Sequence, residues 1–215
     1  MPMAPGTTQF TLVRHGQSQA GRPGQRFPLV EGHGDPPLTD LGHQQAHAVG
    51  ERLRAEAFHA LYASSLTRTQ ETAAPLARHL ELQVRVEHDL REVFLGDWEG
   101  GLFREKAHEG TDPAIHAFWE TGDWGVIPNA ESNTDLITRV GTAVRRLHEA
   151  HLDEHVALFV HGGVIAALLS EATGGPMRRL AGAENGSIHR LWVNGDHWTM
   201  RTFNDSTHLA GVMTP

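Results

Sequence analysis

Short apolar runs alternate with longer segments of helical periodicity along this chain of 215 residues. Runs rich in β-forming residues predict strands, which lie at residues 10–13, 60–63, 84–86 and 155–160. Apolar residues at helical spacing predict helices, which lie at residues 38–57, 66–80, 131–151 and 164–172. Two last strand patterns, at 188–193 and 198–203, flank Asn194-Gly195-Asp196 and predict a closing hairpin.

The run at residues 155–160 is the most apolar in the chain and is apolar on both faces, as a central parallel strand requires. Because helices alternate with strands, the predicted fold class is α/β, a three-layer α/β/α sandwich with a mostly parallel central sheet. No second core is apparent, so residues 1–215 are predicted to form a single domain. Residues 101–128 predict two short helices, broken near Gly110, in an insertion over the active site.

Composition narrows the class of protein. The net charge of −8 argues against general affinity for nucleic acid or anionic membranes. Any phosphate site must therefore be a local basic pocket. The chain has no cysteine, which excludes disulfides, thiolate metal sites and a cysteine nucleophile. The first six residues do not read as a signal peptide and no apolar run has the length of a membrane span, so a cytoplasmic enzyme or binding protein is expected.

Candidate chemistry lies where three predicted strands end. The first ends at Arg14-His15-Gly16, and a later one ends at His161-Gly162-Gly163. Since the carboxyl ends of adjacent parallel strands meet at the ligand crevice, the two histidines are expected to face one another. Arg68 follows a third strand end and falls in the first turn of a helix, where it opposes the helix dipole unless it holds an anion. Together these residues predict a pocket for a tetrahedral dianion such as phosphate.

These motifs resemble those of the histidine phosphatase superfamily, which has the phosphoglycerate mutase-like fold. The likeness extends along nearly the whole chain and includes Leu12 to Gly16, Pro37 to Thr39, Ser64 to Ala73, Leu90 to Glu92, Gly96 to Gly100, Glu131 with Arg139, and His161 to Ile165. Single three-letter motifs are weak, but several in the family's order are specific.

The resemblance implies a role for each site residue. His15 would be the nucleophile that becomes a transient phosphohistidine. Arg14, Arg68 and His161 would bind the phosphoryl oxygens, and Glu92 would protonate the leaving oxygen. Further substrate contacts are expected from Gly162, Gln17 and Arg22. No metal and no cofactor are expected, because the arginines supply the positive charge.

Three positions depart from the family pattern. Gly21 stands where many members have Asn, Val160 where many have Ser or Thr, and Ala166 where Arg is common. The segment that follows Glu92 resembles the phosphatase branch, because the mutase branch has an Arg-His-Tyr-Gly run there. The predicted function is therefore hydrolysis of a small-molecule phosphomonoester. A cofactor-dependent phosphoglycerate mutase and a non-catalytic phosphate-binding protein stay open as alternatives.

Other features leave questions open. The pairs His43 with His47 and His151 with His155 have spacings that suit zinc, although solvated surface histidines are the preferred interpretation. His33, in the predicted loop at 21–37, either reaches the site or is exposed. The five tryptophans are expected to pack in the core, with Trp119 and Trp124 also suited to an apolar substrate wall. The natural substrate is not readable, and both a monomer and a homodimer are compatible with the sequence.

Overall fold

The computed structural model describes residues 4–21 and 24–212 of the chain. Its strands are β1 (Thr8–Arg14), β2 (Leu29–Val30), β3 (His33–Gly34), β4 (Ala60–Ala63), β5 (Val84–Val86), β6 (His155–Val160), β7 (Ile188–Asn194) and β8 (His197–Asp205). Its α-helices are α1 (Asp40–Leu53), α2 (Thr67–Leu80), α3 (Leu102–Glu109), α4 (Pro113–Thr121), α5 (Asn133–Ala150) and α6 (Gly162–Thr173).

The central sheet has six strands in the order β5-β4-β6-β1-β7-β8. The pairs β5·β4, β4·β6 and β6·β1 are parallel, whereas β7 is antiparallel to both of its neighbours. The sheet is therefore mostly parallel, and the predicted α/β class is confirmed. The order places β1 and β6 side by side. His15 follows directly after β1, and His161 follows directly after β6.

Helices cover both faces of the sheet, because side chains along each strand point alternately to either face. On β6, Val156, Leu158 and Val160 join a core with α5 and α6. Ala157 and Phe159 point the other way, into a core with α1 and α2. The two cores lie on opposite faces of the sheet, as the predicted three-layer sandwich requires.

The four predicted helices start one or two residues from the predicted positions, and two of these differences bear on the site. α5 begins at Asn133 rather than Glu131, because the Ser132 hydroxyl caps it by accepting a hydrogen bond from the Asp135 N–H. α6 begins at Gly162, so both glycines of the His161-Gly162-Gly163 motif lie in its first turn and His161 is its N-cap. As a result, Glu131 lies before α5 and its carboxylate pairs with Arg139. The Gly163 N–H lies in the first turn of α6, where it donates to Glu92.

The predicted loop at 21–37 contains a small two-stranded sheet, β2 paired with β3. Its turn is formed by Glu31 and Gly32, which have φ angles of 50° and 84°. The insertion forms α3 and α4 as predicted and has a small core of its own, built on Trp98, Ile115 and Ile127. Within the described residues, no helix is both long and apolar enough to span a membrane.

One expectation about the tryptophans is wrong. Trp98 is buried, but Trp119 has 64% of its surface exposed. It lies near the C-terminal end of α4, next to Phe118, whose ring centroid is 5.2 Å from that of Trp119. Trp119 therefore does not belong to the core, and its indole is available at the surface of the insertion.

Candidate active site

His15 and His161 follow the ends of two adjacent parallel strands. Arg14, the last residue of β1, pairs in register with Val160, the last residue of β6. The His15 N–H continues the ladder by donating to the Val160 carbonyl at 3.0 Å. The two imidazole rings that follow have centroids 5.2 Å apart. The sequence expectation that the two strand ends meet is thus met by the geometry.

The backbone fixes the tautomer of His15. Its Nδ1 lies 2.7 Å from the Gly16 carbonyl oxygen, which can only accept, so Nδ1 carries the proton and Nε2 carries the lone pair. Burial lowers the pKa of His15 well below its usual value, and the charges of Arg68 and Arg14 lower it further. His15 is consequently a neutral imidazole with a nucleophilic Nε2 near neutral pH.

Gly16 allows the end of β1 to pack closely against α1. A Cβ at this position would lie 2.4 Å from the Gly42 carbonyl oxygen, so the residue is needed for close packing of the β1 end against α1. The His15 carbonyl is held from the other side by the Asn185 amide and the Gly186 N–H, which donate to it at 3.0 and 3.3 Å. The histidine backbone is thereby fixed on both sides.

Arg14 and Arg68 converge on His15 with their guanidinium groups held by carbonyl oxygens. Arg14 donates to the Ala183 carbonyl, and Arg68 donates to the Gly34 carbonyl at 3.1 Å. Burial is the main cause that lowers the pKa of each arginine, while Glu92 opposes it. Because an arginine stays protonated under such perturbation, the pocket holds two fixed positive charges beside the neutral His15.

His161 is fully buried, and a serine holds its Nε2. The Ser64 Oγ lies 2.8 Å from this nitrogen, and the same hydroxyl lies 2.9 Å from the Thr69 Oγ1. Burial lowers the pKa of His161 well below normal, with Arg68 the next cause. Its Nδ1 is buried and has no hydrogen-bond partner among the described residues.

Glu92 lies at the first turn of α6. Its Oε1 accepts from the backbone N–H groups of Val93 at 3.0 Å and Gly163 at 3.1 Å. The segment that carries it is fixed by Arg139, whose guanidinium donates to the carbonyl oxygens of Asp89, Arg91 and Glu92. Arg139 also forms a two-pronged pair with the Glu131 carboxylate, at 2.8 and 2.7 Å.

Two cavities open onto both Arg14 and Glu92. The His15 cavity, of about 300 Å³, is lined by His15, Arg68 and His33 among others. The Trp119 cavity, of about 610 Å³, is lined by residues of α4, the first turn of α6 and the 3₁₀ turn Met177–Arg179. Three residues line both cavities, namely Arg14, Glu92 and Trp124. Arg14 and Glu92 therefore lie at the junction of the His15 cavity with the larger Trp119 cavity.

The structure adds residues that the sequence did not assign to the site. Arg104 of α3 lines the His15 cavity and is one of the charges that lower the pKa of His15. His33 lines the same cavity with only 8% of its surface exposed, so it reaches the site rather than solvent. Ser64, at the start of the 64–73 motif, contacts His161 and is a further residue of the site. The sequence signal for His33 is the Glu31-Gly32 turn that precedes it.

Of the other residues predicted to contact substrate, some line the two cavities and others do not. Gly162 lines the Trp119 cavity beside Arg14. Gln17 lies outside both cavities and, together with Arg14, lines a third cavity of about 430 Å³. Its side-chain oxygen accepts from the Thr39 hydroxyl at 2.9 Å. Arg22 lies outside the described residues. Gly21 lies against Phe27 in the loop before β2 and lines neither cavity.

The histidine pairs with zinc spacing have other surroundings. His43 and His47 are exposed on α1, as the preferred interpretation expected. His151 is buried, contrary to that interpretation, and bridges the Tyr62 hydroxyl and the Glu154 carboxylate. The described residues contain no group of three or more His, Cys, Asp or Glu side chains placed to hold a metal ion.

Comparisons with known proteins agree with this geometry. Residues 10–206 match the model of the histidine phosphatase superfamily (branch 1). The chain is 34% identical over 206 residues to phosphoglycerate mutase-like protein 4 of Arabidopsis thaliana, covering 94% of this chain and 86% of that protein. It is 29% identical to the adenosylcobalamin/alpha-ribazole phosphatase of Escherichia coli K12, covering 90% and 94%.

Solved structures give the same fold. The mycobacterial glucosyl-3-phosphoglycerate phosphatase superposes with a TM-score of 0.78 at 28% identity, covering 93% of this chain and all of that one. Its name and those of the two sequence relatives include both phosphatase and mutase-like activities. The comparisons therefore establish the family, and both activities occur among the names of its members.

Proposed function

The chain belongs to the histidine phosphatase superfamily, and from that premise we propose that it hydrolyses small-molecule phosphomonoesters through a phosphohistidine formed on His15. The observation that carries this proposal is the state of His15. It is buried and neutral, its proton is fixed on Nδ1 by the Gly16 carbonyl, and two arginines converge on it. That combination supports an imidazole nucleophile directed at a bound dianion.

In the first step, Nε2 of His15 attacks phosphorus as the ester P–O bond breaks. Glu92, in its protonated form, gives its proton to the leaving oxygen, and the alcohol is released. The Nδ1–H keeps donating to the Gly16 carbonyl, whose oxygen stabilises the positive charge that develops on the ring. Arg14 and Arg68 stabilise the phosphoryl oxygens throughout, which is the main task in phosphoryl transfer.

In the second step, a water molecule attacks phosphorus of the phosphohistidine. The Glu92 carboxylate takes a proton from this water, the P–N bond breaks, and inorganic phosphate forms. His15 returns to its neutral form and Glu92 to its protonated form, so the cycle closes with one ester hydrolysed. Glu92 can act in both steps because it lies where the two cavities meet.

The segment after Glu92 favours phosphatase activity over mutase activity. Val93 is buried in the core, and the Phe94 ring packs on His33 with centroids 5.4 Å apart. Neither side chain offers a charge to a second substrate anion at this point. Mutase activity is retained as the second candidate, because a 34% identical relative is named mutase-like.

The test is a hydrolysis assay of p-nitrophenyl phosphate, with 3-phosphoglycerate interconversion measured in parallel. We expect hydrolysis that persists in EDTA and disappears in His15→Ala, and a phosphoryl group on His15 after acid-free quenching with a labelled substrate. Interconversion without hydrolysis would favour the mutase. Absence of both activities in the folded wild-type protein would favour a non-catalytic phosphate-binding role.

A further inference from the structure

The Trp119 cavity has a composition that the phosphoryl-transfer chemistry does not require. One wall is aromatic, built by Phe118, Trp119 and Trp124 of the insertion. The ring centroids of Phe118 and Trp124 are 4.3 Å apart, so the two rings form a packed surface. Aromatic walls of this kind bind flat or apolar groups through burial and stacking.

Two arginines face the same cavity from a different segment of the chain. Arg178 and Arg179 belong to the 3₁₀ turn after α6. Arg178 is anchored against the end of α4, where it donates to the Glu120 carbonyl at 3.1 Å and packs on Gly122. Within the residues that the structure describes, neither arginine has a carboxylate oxygen within 4.0 Å. A guanidinium has five N–H donors, so Arg178 retains donors for a ligand.

The position of Glu92 links this cavity to the reaction. Glu92 lines both cavities, with the nucleophile and Arg68 in one and the aromatic wall in the other. The group that Glu92 protonates must leave from the side away from His15, since attack and departure are in line. The departing alcohol lies beside Glu92, and the Trp119 cavity is the cavity at Glu92 that His15 does not line.

We infer that the Trp119 cavity binds the leaving group of the substrate, and that this group combines a flat or apolar body with a second anion, a carboxylate or a phosphate, held by Arg178 and Arg179. This inference rests on the proposed phosphatase function and names the substrate class of that site. A volume of about 610 Å³ is within the range of small-molecule pockets. The ion pair with the second anion makes the cavity selective, because contacts of the aromatic wall with the apolar body of the leaving group discriminate little between substrates.

The experiment compares two isosteric substrates, 4-carboxyphenyl phosphate and 4-carbamoylphenyl phosphate, which differ in the charge at the far end of the ring. We expect the wild-type kcat/KM to favour the carboxylate about tenfold, the value of one partly solvated charge-assisted contact. In R178Q/R179Q this ratio should fall to about one, chiefly through a higher KM for the carboxylate. In Arg78→Gln the ratio should be unchanged, because Arg78 is exposed in the last turn of α2 and lines neither cavity.

The aromatic wall is tested by Trp119→Ala, in which the ratio of kcat/KM for 4-carbamoylphenyl phosphate to that for ethyl phosphate should fall about threefold to fivefold, as one lost stacking contact predicts. A wild-type ratio near one, or a ratio that survives R178Q/R179Q, would overturn the inference while hydrolysis upholds the proposed function. No hydrolysis of any phosphomonoester would overturn both. Single variants at Arg178 and Arg179 answer the same question if the double variant does not fold.

Discussion

Glu92 and Gly163 are in such close contact that a Cβ on Gly163 would displace the carboxylate from its position. The Gly163 N–H lies 3.1 Å from Oε1 and 3.3 Å from Oε2 of Glu92. A Cβ on Gly163 would come within 2.4 Å of Oε1. The first turn of α6 therefore positions the proposed acid, and a residue with no side chain determines where that acid lies.

Gly163→Ala should move the acid without harming the fold. The clash is with the far end of a flexible side chain, and Ala is a better helix residue than Gly by about 1 kcal/mol. We expect kcat for an alkyl phosphate to fall about a hundredfold, the usual contribution of general acid catalysis. For p-nitrophenyl phosphate, whose leaving group needs less protonation, the loss should be about tenfold smaller. Parallel kcat measurements with the two substrates check this.

Gly211→Ala is the matched control, because a Cβ there meets nothing within 4 Å. It should leave both kcat values and the melting temperature unchanged. Equal losses on the two substrates in Gly163→Ala would mean that the variant disturbs something other than the acid.

Arg139→Lys should loosen the segment that carries Glu92. Lysine has one ammonium where arginine has a fork, so it cannot keep both bonds to Glu131 and those to three carbonyl oxygens. We expect the free energy of unfolding to fall by about 2 kcal/mol, as for loss of charge-assisted hydrogen bonds. The kcat for an alkyl phosphate should also fall about tenfold, because Glu92 is less well placed.

The control is Arg145→Lys, on the same helix, where the pair with Glu171 is about twice as exposed as the pair of Arg139 with Glu131. An exposed pair contributes about 0.5 kcal/mol or less, so urea denaturation should separate the two variants. If Arg139→Lys unfolds at the same urea concentration as Arg145→Lys, the hydrogen bonds of Arg139 to Glu131 and to the segment that carries Glu92 do not stabilise the protein.

Ser64→Ala should disturb the tautomer of His161. A neutral His161 can donate from Nδ1 only if Nε2 accepts, and the Ser64 hydroxyl is the group beside Nε2. The family resemblance implies that His161 binds a phosphoryl oxygen, so without that hydroxyl we expect kcat/KM to fall about tenfold and vanadate inhibition to weaken, because this donor is populated less. Ser65→Ala removes an adjacent hydroxyl that contacts Glu31 at the surface and should change neither quantity. Wild-type vanadate inhibition in Ser64→Ala would contradict this role for the serine.

Stability should decline on acidification below about pH 6.5. Burial lowers the pKa of His155 and His189 to about 4, and that of His15 and His161 also lies well below its usual value. Below pH 6.5 these histidines bind protons in the unfolded chain but stay neutral in the folded protein. The free energy of unfolding then falls by about 1.4 kcal/mol per pH unit for each such proton. It should be nearly level above pH 7 as far as these groups are concerned.

His189→Gln provides the check, because His189 is fully buried and hydrogen-bonded to Ser187 and the Asn204 N–H. The free energy of unfolding, measured by urea denaturation between pH 7 and pH 4.5, should fall less steeply with decreasing pH in this variant. The difference in slope should correspond to about one bound proton. An unchanged slope would mean that His189 titrates normally in the folded protein.

Much of the fold and the proposed catalytic centre could be predicted because the signals are local. The strand that ends at Arg14 and His15, and the apolar run that ends at His161, are each read within a few residues. Rules of sheet topology then place the two strand ends together. The helix that starts near Thr39 was also readable, since the Thr39 hydroxyl caps α1 by accepting from the Gly42 N–H.

What could not be predicted depends on contacts between distant segments. The Ser64 hydroxyl meets His161 across 97 residues, and the Asn185 amide meets the His15 carbonyl across 170. No periodicity or spacing encodes such pairs, because they exist only once the sheet has formed. Arg178 is a similar case. It faces the aromatic wall only because its turn packs on the end of α4, 58 residues earlier in the chain.

The junction of the two cavities at Glu92 and Trp124 also bears on how one fold accommodates both hydrolysis and transfer. On the proposed mechanism, the alcohol formed in the first step and the water of the second must occupy the same side of the phosphohistidine. An alcohol that dissociates slowly and turns a second hydroxyl toward phosphorus gives the proton of that hydroxyl to the Glu92 carboxylate and takes the phosphoryl group there before water can enter. One that dissociates quickly leaves the intermediate to hydrolysis. Partitioning between phosphatase and mutase behaviour is then a matter of residence time in the Trp119 cavity, and it can shift without any change at His15.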